Sequence, residues 1–226
     1  MKEKTGRPAR AGLITDAATR LFLAKGYLGT SMDEIAAQAG VSKQTIYKHF
    51  ADKERLFTGL IVGTTQRAAE FIESIVPRLQ NTNDIRKDLR DIALRYVATV
   101  FSPQVLKLRR LVVMESTRFP ELARTYYEQA PQRTVEALTA AFQKLAERGI
   151  LRLRDPKTAA MHFAGMVVMM PLDKTMFGGT FTAAELKRFA EAGVRAFLSA
   201  YGVAAYGAAA RGTPGPGTSK GRTGGI

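Results

Sequence analysis

Apolar residues recur along most of the chain at the spacing of an α-helix, and no segment shows the sustained alternation of a β-strand. The pattern is clearest from Ile14 to Phe22, where apolar residues occupy positions i, i+3, i+4, i+7 and i+8 of one helical face. Gly26 is placed to end this first helix, because glycine readily takes the left-handed conformation that closes a helix. The periodicity therefore predicts an all-α protein.

Capping residues predict two further short helices. Ser31 followed by Glu34 makes a capping box, in which the serine hydroxyl accepts a bond from a backbone amide and Glu34 reaches back. Gly40 is placed to end this second helix, and Ser42 can cap a third helix over residues 43–50. The sequence thus predicts two short amphipathic helices joined by a tight turn.

Longer helices are predicted for the rest of the chain. Asp52 can cap a helix from Lys53 to about Val76, which Pro77 would stop because proline lacks the backbone donor of a continuing helix. Pro131 is expected to separate two later helices for the same reason. The other predicted helices span Asp84–Phe101, Gln104–Thr117, Pro120–Gln129, Gln132–Arg148, Asp155–Met170 and Thr182–Tyr201.

Charge and composition narrow the class of protein. The formal net charge of +14 favours a polyanionic partner such as DNA, but only +4 of it falls in residues 1–55, so charge alone does not identify a DNA-binding protein. The chain has no Cys, which excludes disulfides and thiolate sites. No signal-peptide core follows the basic N-terminus, and the longest apolar run, Ala164–Leu172, is far shorter than the ~20 residues of a membrane span. We therefore expect a cytoplasmic protein without membrane contact.

Residues 31–50 carry the strongest functional signal. Ile46 and Phe50, four residues apart, can form the buried side of the third helix. On the polar side, hydrogen-bonding residues cluster near the start of the helix. This is where a recognition helix meets base edges in the major groove. These polar residues are Lys43, Gln44, Thr45, Lys48 and His49. The pattern predicts a helix-turn-helix.

A dense set of matching positions over about residues 9–57 resembles the DNA-binding domain of the TetR repressor family. The matching segments are Gly26-Tyr27, Thr30–Ala36, Ala39–Ser42, Thr45–Phe50 and Asp52–Leu56. Further along, the sequences at Phe119–Leu122, Gly149–Leu151 and Asp155-Pro156 resemble the AefR-like branch of that family. The resemblance implies an N-terminal three-helix helix-turn-helix domain over residues 1–56 and a helical ligand-binding and dimerisation domain over residues 57–201. Residues 202–226, rich in Gly, Ala, Pro and Thr, are expected to form a disordered tail.

The resemblance implies specific DNA contacts. Base edges would be approached by Lys43, Gln44 and Thr45, with Lys48 at a position whose role varies across the family. Phosphates would be contacted by Tyr47, His49 and Lys53, Ser31 would cap the second helix beside the DNA, and a minor-groove arm would contain Arg7 and Arg10. Plainer interpretations remain open: Tyr47 as an ordinary helix tyrosine, His49 and the lysines as solvated surface groups, and the basic N-terminus as a solubilising tail.

Large apolar and flexible side chains between Ile85 and Tyr201 suit a cavity for a small apolar or amphipathic effector. The predicted effector-binding residues are Phe101, Met114, Arg118, Phe119, Tyr126, Tyr127, Met166 and Met170. Ordinary core packing is the alternative for each of them, and a surface position is the alternative for Arg118. By the same resemblance, an effector would shift the helix that starts at Lys53 and so change the separation of the two recognition helices.

The resemblance also implies a homodimer, in which the helices Asp155–Met170 and Thr182–Tyr201 pack against their copies as a four-helix bundle. The segment 161–170 is apolar around most of its circumference, which requires cover on several sides. The predicted dimer residues are Met161, Ala164, Gly165, Leu186, Phe189, Val194 and Phe197. A dimer also fits DNA reading, because two symmetric helix-turn-helices read a palindrome with half-sites about 34–36 Å apart. Packing within one chain is the alternative.

Other functional classes are less well supported. The chain has two His, no HExxH, no phosphate-binding loop and no G-x-S-x-G, so neither an enzyme, nor a metal site, nor a cofactor is predicted. The basic charge leaves a non-specific nucleoid or RNA-binding protein as an alternative, against which the compact helix-turn-helix argues. A DNA-binding regulator controlled by a protein partner, without a small effector, also remains open. Because most family members repress, we expect a repressor.

Overall fold

The computed structural model describes the backbone of residues 6–203, and the side chains of these residues apart from positions 6–9, 64, 66 and 67. In this part of the chain the regular structure is helical, with one isolated β-bridge between Leu151 and Gly202. The helices of the N-terminal half are α1 (Gly6–Lys25), α2 (Met32–Ala39), α3 (Lys43–His49), α4 (Lys53–Thr64), α5 (Gln66–Gln80) and α6 (Ile85–Val100). The all-α prediction is confirmed.

The second half continues with six helices and two short π-helical turns. They are α7 (Pro103–Glu115), α8 (Pro120–Tyr127), a π turn (Glu128–Gln132), α9 (Arg133–Glu147), α10 (Pro156–Ala164), a π turn (Gly165–Met169), α11 (Met170–Met176) and α12 (Ala183–Tyr201). The predicted tail at 202–226 lies, from residue 204 onward, outside the described residues.

Side-chain caps set the starts of the short helices as the sequence predicts. Ser31 and Glu34 form the capping box of α2, and the Ser42 and Asp52 side chains cap α3 and α4 by accepting bonds from Thr45 N and Arg55 N. Each such cap contributes about 1 kcal/mol, which matters for helices of 7 to 12 residues. The α2–α3 unit is therefore specified locally.

Prolines do not end helices where we predicted. Pro77 lies inside α5, and the single helix predicted from Lys53 to Val76 is instead divided at Thr65, whose N–H bonds to the Val62 carbonyl three residues back. Pro131 lies inside the first π turn, which joins α8 to α9 without a loop. Proline can be accommodated there because a π turn already departs from the i to i−4 bonding that proline interrupts.

Two apolar cores hold the helices together. The N-terminal core buries α1 to α4, including Phe22, Ile35, Ile46 and Phe57, but it also takes in Leu111 and other residues of α7 and α8. The C-terminal core is made by α5, α6, α9, α10, the second π turn, α11 and α12. Helices α7 and α8, which lie outside the predicted 1–56 segment, therefore pack directly on the N-terminal helices.

An aromatic cluster closes the contact between α8 and the N-terminal helices. The Tyr27 ring centroid lies 5.0 Å from that of Phe57 and 4.7 Å from that of Phe119, the residue just before α8. Edge-to-face pairs of this kind contribute about 0.5–1.5 kcal/mol each beyond the area they bury. Phe119 is thus part of the N-terminal core rather than of an effector site.

Candidate DNA-binding surface and effector cavity

The turn between α2 and α3 has a fixed geometry. Gly40 adopts the left-handed conformation with φ of 65°, and its N–H donates to the Ala36 and Ala37 carbonyls. Val41 N also donates to the Ala36 carbonyl at 3.0 Å, before Ser42 caps α3. A residue with a Cβ would be strained at Gly40, so this glycine helps set the angle between the two helices.

Helix α3 buries one side and exposes the other. Ile46 is fully buried in the N-terminal core, and Phe50 is half-buried against it. Exposed positions are occupied by Lys43, Gln44, Tyr47 and Lys48, with Thr45 and His49 half-buried. The structure therefore brings the residues predicted for base and phosphate contact onto the solvent side of a short helix held by its apolar side.

Lys43 has an acidic partner on the neighbouring helix. Its Nζ lies 2.9 Å from Oδ2 of Asp33, and this hydrogen bond, together with the charge of the carboxylate, raises the pKa of Lys43. Both side chains are more than half exposed, so the pair contributes little to stability. What the pair does is fix a position, because Asp33 holds the ammonium group of Lys43 near the start of α2.

An open groove of about 510 Å³ lies beside α3. It is bounded by the start of α2, including Ser31, and by Tyr47 and Lys53. Tyr47 is 45% exposed, so its hydroxyl can reach a partner outside the protein. The helix N-terminus, the tyrosine hydroxyl and the ammonium group favour a phosphate here, whereas the carboxylates of Asp33, Glu34 and Asp52, which also line the groove, oppose one.

Lys53 also has a role inside the protein. Its Nζ donates to the carbonyls of Tyr27 at 2.9 Å and Thr30 at 2.8 Å, and lies 4.3 Å from the centroid of the Tyr27 ring. An ammonium group has three N–H donors, so one is left for a further acceptor. The phosphate contact of Lys53 stays a prediction, now beside a structural role that the sequence did not reveal.

The basic arm is only partly described. Arg7 and Arg10 lie in the first turns of α1, a helical rather than an extended segment, and Arg10 is exposed. The side chain of Arg7 lies outside the described residues. Contact of these residues with a minor groove stays a prediction.

A crevice in the second half separates α5 and α6 from the start of α7 and from the π turns. It encloses about 80 Å³ of free volume within about 720 Å³ of empty space that includes solvent at its mouth. The apolar lining residues are Ala68, Phe71, Val100, Val105, Leu108, Ala130, Pro131, Val168, Met169 and Leu172. We call this space the effector cavity.

Six polar residues also line the effector cavity. They are Thr65, Tyr96, Thr99, Arg109, Tyr126 and Thr134. Burial raises the pKa of Tyr96 to about 12, against the opposing effect of the Arg109 charge. Burial likewise raises the pKa of Tyr126, while the charge of Arg109 lowers it. Both tyrosine hydroxyls therefore stay protonated at neutral pH and can donate to a ligand.

One of the residues predicted for effector binding, Tyr126, lines this cavity. Three others are well exposed: Met114 at 72%, Tyr127 at 58% and Met170 at 72%. Phe101 and Met166 pack against the C-terminal core, and Phe119 packs in the N-terminal core. Arg118 is exposed and lies 5.8 Å from the Tyr27 ring centroid. These seven residues are not brought together, because helical packing turns their side chains in different directions.

Arg109, which lines the cavity, is not among the residues predicted from the sequence. A usable signal was present, since Val105, Leu108 and Val112 occupy positions i, i+3 and i+7 of one helical face, and Arg109 occupies i+4 on the same face. A lone arginine in an apolar stripe indicates a side chain that faces a cavity or a buried partner. Thr65 was missed because the break between α4 and α5 was not predicted.

The residues predicted for the dimer interface divide between core and surface. Phe197 is fully buried within the protomer, and Val194 and Ala164 are 4% and 8% exposed, so these three pack mainly within their own chain. Leu186 also packs against the C-terminal core, whereas Phe189 and Gly165 are half-buried and Met161 is 56% exposed. The amphipathic stripe of α12 therefore packs at least in part within its own chain, and its contact with a second copy stays a prediction.

Apolar side chains nevertheless remain exposed along α10 and α11. Met161, Met169, Met170 and Phe177 are 51% to 85% exposed. Helix α12 lies beside this strip, and its Gly193 lets the backbones meet, since a Cβ built there would be 2.4 Å from the Met166 carbonyl oxygen. Exposed large apolar side chains such as these make this side of the protein a candidate interaction surface.

No group of three or more His, Asp or Glu side chains among the described residues is placed to hold a metal ion. None of the described helices is long and apolar enough to cross a membrane.

Comparison with protein families gives two matches that together span most of the chain. Residues 14–60 match the family described as "Bacterial regulatory proteins, tetR family". Residues 87–203, about half of the chain, match the family described as "AefR-like transcriptional repressor, C-terminal domain". The first match contains the helix-turn-helix, and the second contains most of the residues that line the effector cavity.

Individual proteins that are similar to this chain are also transcriptional regulators. A TetR-family transcriptional regulator from Mesorhizobium loti MAFF303099 is 41% identical, with a TM-score of 0.79 over 88% of this chain and 100% of that one. The flavonoid-responsive regulator FrrA is 32% identical, with a TM-score of 0.69 over 87% of this chain and 99% of its own. The transcriptional activator FasR of Mycolicibacterium smegmatis is 34% identical over 84 residues, which are 37% of each chain. With the helix-turn-helix geometry, the two family matches and the likeness to the first two of these proteins over nearly their whole lengths, the chain belongs to the TetR family of transcriptional regulators, with a C-terminal domain of the AefR-like type.

Proposed function

We propose that this protein is a ligand-responsive repressor that binds a palindromic DNA operator as a homodimer and is released by a small apolar or amphipathic effector. The observation that carries the proposal is the orientation of α3. Its apolar side chain Ile46 is fully buried, while Lys43, Gln44, Tyr47 and Lys48 are exposed. A surface helix that exposes hydrogen-bonding groups at its N-terminal end suits major-groove readout.

The proposed DNA contacts follow from position on the surface. Lys43, Gln44 and Thr45 lie in the first turn of α3, from which side chains reach base edges. Tyr47 and Lys53 bound the groove beside the start of α2, which we assign to a phosphate. Phosphate contacts of this kind set the register of the protein on DNA, and base contacts set the sequence.

A dimer is supported by the exposed strip on α10 and α11. Met161, Met169 and Phe177 would lose water contact against the same strip of a second copy, and a two-fold axis there makes the contact self-complementary. Two recognition helices related by that axis would read half-sites one DNA turn, about 34–36 Å, or a multiple of it apart. Sedimentation should show a dimer at micromolar concentration, and a monomer would count against the proposal.

Release by an effector is supported by where the cavity lies. Thr65, which separates α4 from α5, lines the cavity and its hydroxyl lies 3.1 Å from Oε1 of Gln129. Helix α4 packs in the N-terminal core, so a change at Thr65 reaches the DNA-binding helices through α4. The effector must bind the low-affinity conformation more tightly, because otherwise it shifts no equilibrium.

The relatives support a regulator that acts by binding and not by catalysis. The matched C-terminal family is described as a repressor, whereas FasR is named an activator. We propose repression because the AefR-like match covers the C-terminal domain, while the FasR match spans 37% of that protein. FrrA is named flavonoid-responsive, which supports a small, largely apolar effector for this chain as well.

Binding-site selection from fragments of the source genome tests the proposal. The full-length protein should enrich a short palindromic site and bind it about 10³-fold or more tightly than bulk DNA. Lys43→Ala should reduce this preference, and Lys144→Ala, an exposed lysine on α9, should not. Equal competition by bulk DNA would instead show a non-specific DNA-binding protein. Once a site is known, the effect of its occupancy on transcription distinguishes repressor from activator.

A further inference from the structure

The effector cavity has one charged group in an otherwise apolar and uncharged lining. Among the residues that the structure shows at its wall, Arg109 alone carries a charge, and no Asp or Glu is present there. Phe71, Val105, Leu108 and other apolar side chains make up most of the remaining wall. A ligand in this space would therefore meet a mainly apolar surface in which, among the described side chains, Arg109 is the positive centre.

The charge of Arg109 is not balanced by a protein carboxylate. Across the described part of the chain, the ion pairs of other arginines are resolved, for example Arg78 with Asp88 and Arg90 with Glu191, but none involves Arg109. Its neighbour Arg110 turns away and donates to the Thr175 carbonyl. A half-buried guanidinium without a counter-ion is costly, because water solvates it only in part and no protein charge compensates.

Two hydroxyl groups lie beside this guanidinium. Arg109 and both tyrosines line the same cavity, and Arg109 lies close enough for its charge to lower the pKa of Tyr126 and of the buried Tyr96 against the effect of burial. A guanidinium has five N–H donors in a planar fork, so even a bond to one tyrosine would leave enough donors for a bidentate bond to an acid. The neutral hydroxyls can donate to the same acidic group. Together, these side chains make a set of donors that fits a carboxylate.

We infer that the effector is an apolar molecule with a single acidic group, which pairs with Arg109 between Tyr96 and Tyr126 while the apolar body fills the rest of the cavity. The inference rests on the proposed function for the statement that the cavity is an effector site. It goes further in giving the effector a charge and an orientation. An uncharged molecule of equal shape would leave Arg109 without a counter-ion, and a cationic one would be repelled.

Matched pairs of acids and neutral amides test the inference with the full-length protein. Suitable probes are benzoate, biphenyl-4-carboxylate and decanoate, each compared with its primary amide, in calorimetric titrations without DNA. At least one acid should bind about tenfold or more tightly than its amide, the size expected for charge-assisted hydrogen bonds. Equal binding of every acid and its amide, tighter binding of the amides, or no binding by any probe would overturn it.

Variants test whether the preference for the acid over its amide comes from Arg109. In Arg109→Gln the advantage of the acid should disappear while affinity for the amide changes little, and Arg109→Lys should keep part of it. Lys107→Gln removes the same charge from an exposed position on α7 and should keep the full preference. Thermal unfolding of each variant shows whether it folds. If folded Arg109→Gln still prefers the acid over its amide, the assignment is overturned. Loss of this preference in both Arg109→Lys and Lys107→Gln would also overturn it.

The outcome is separable from that of the proposed function, because operator binding is measured without any probe. If the protein selects a palindromic site but no acid binds through Arg109, the effector class is wrong and the regulator stands. If acids bind through Arg109 but no DNA site is selected, the proposed function fails and the ligand site stands.

Discussion

Glu115 at the end of α7 accepts a hydrogen bond from the backbone N–H of Tyr27, with 3.2 Å between Oε1 and N. Tyr27 lies in the turn between α1 and α2, so this bond joins the second half of the chain to the DNA-binding helices. Glu115→Ala leaves the amide without this acceptor, and we expect the free energy of unfolding to fall by about 1 kcal/mol. Urea unfolding followed by circular dichroism measures the change. Glu115→Gln keeps an acceptor and should lose less, and an equal loss in both variants would contradict this explanation.

Tyr47→Phe removes a hydroxyl from an exposed residue of α3 and should leave stability unchanged. Because the predicted partner of that hydroxyl is a phosphate, affinity should fall for operator and random DNA alike, by about fivefold to tenfold. Fluorescence anisotropy with both DNAs measures the two affinities. Tyr127→Phe, which changes a tyrosine that is 58% exposed on α8, is the matched control and should bind like the unchanged protein. A loss for operator DNA alone would indicate base contact instead.

Lys53→Ala should act on both DNA binding and stability. Loss of one phosphate contact should reduce the slope of log affinity against log salt by about one unit. Because the ammonium also bonds to the Tyr27 and Thr30 carbonyls, the variant should unfold more easily as well. A salt titration of operator binding measures the slope, with Lys144→Ala as the control. An unchanged slope in folded Lys53→Ala would restrict this residue to its structural role.

Asp33→Asn should strengthen DNA binding. The Asp33 carboxylate holds Lys43 at 2.9 Å and would also stand near the phosphates, so its removal frees the lysine and reduces repulsion. We expect a gain of about twofold to fivefold in operator affinity at low salt, shrinking as salt screens the charges. Glu73→Gln on α5 makes the same charge change at an exposed position outside α2 and α3, and serves as the control. Weaker binding would mean that Asp33 positions Lys43 for DNA instead of competing with it.

Gly193→Ala should be strongly destabilising although alanine favours helices. The new Cβ would lie 2.4 Å from the Met166 carbonyl oxygen and 2.8 Å from the Met166 carbonyl carbon, so α12 would have to move away from the second π turn. We expect a loss of about 1–3 kcal/mol, the usual cost of overpacking. Gly63→Ala on α4, where a Cβ meets nothing within 4 Å, should be neutral or slightly stabilising. Thermal unfolding of the two variants decides the question.

Prediction from the sequence was most accurate for local features, such as helix caps, that neighbouring residues determine. The caps at Ser31 and Ser42 and the left-handed Gly40 depend on residues within five positions, and the helix-turn-helix was predicted from them. The helix ends predicted at Pro77 and Pro131 are wrong, since Pro77 lies at an exposed position inside α5 and Pro131 lies inside a π turn.

The effector cavity was less predictable than the DNA-binding surface. Helical periodicity shows which side chains are apolar but not whether they face a core, a cavity or solvent, so Met114 and Tyr127 were chosen although both are exposed. Arg109 could have been found as a charge in an apolar stripe. That Arg109 lacks a carboxylate partner could not be predicted from the sequence, because it depends on the side chains of all the helices around it.

Because the helix is interrupted at Thr65, α4 can change its direction relative to α5, which a continuous helix could not do. Because the bond at this point runs to a carbonyl three residues back, the chain can bend here without breaking the regular bonding on either side. The direction of α4 is then decided by what fills the space beside this threonine.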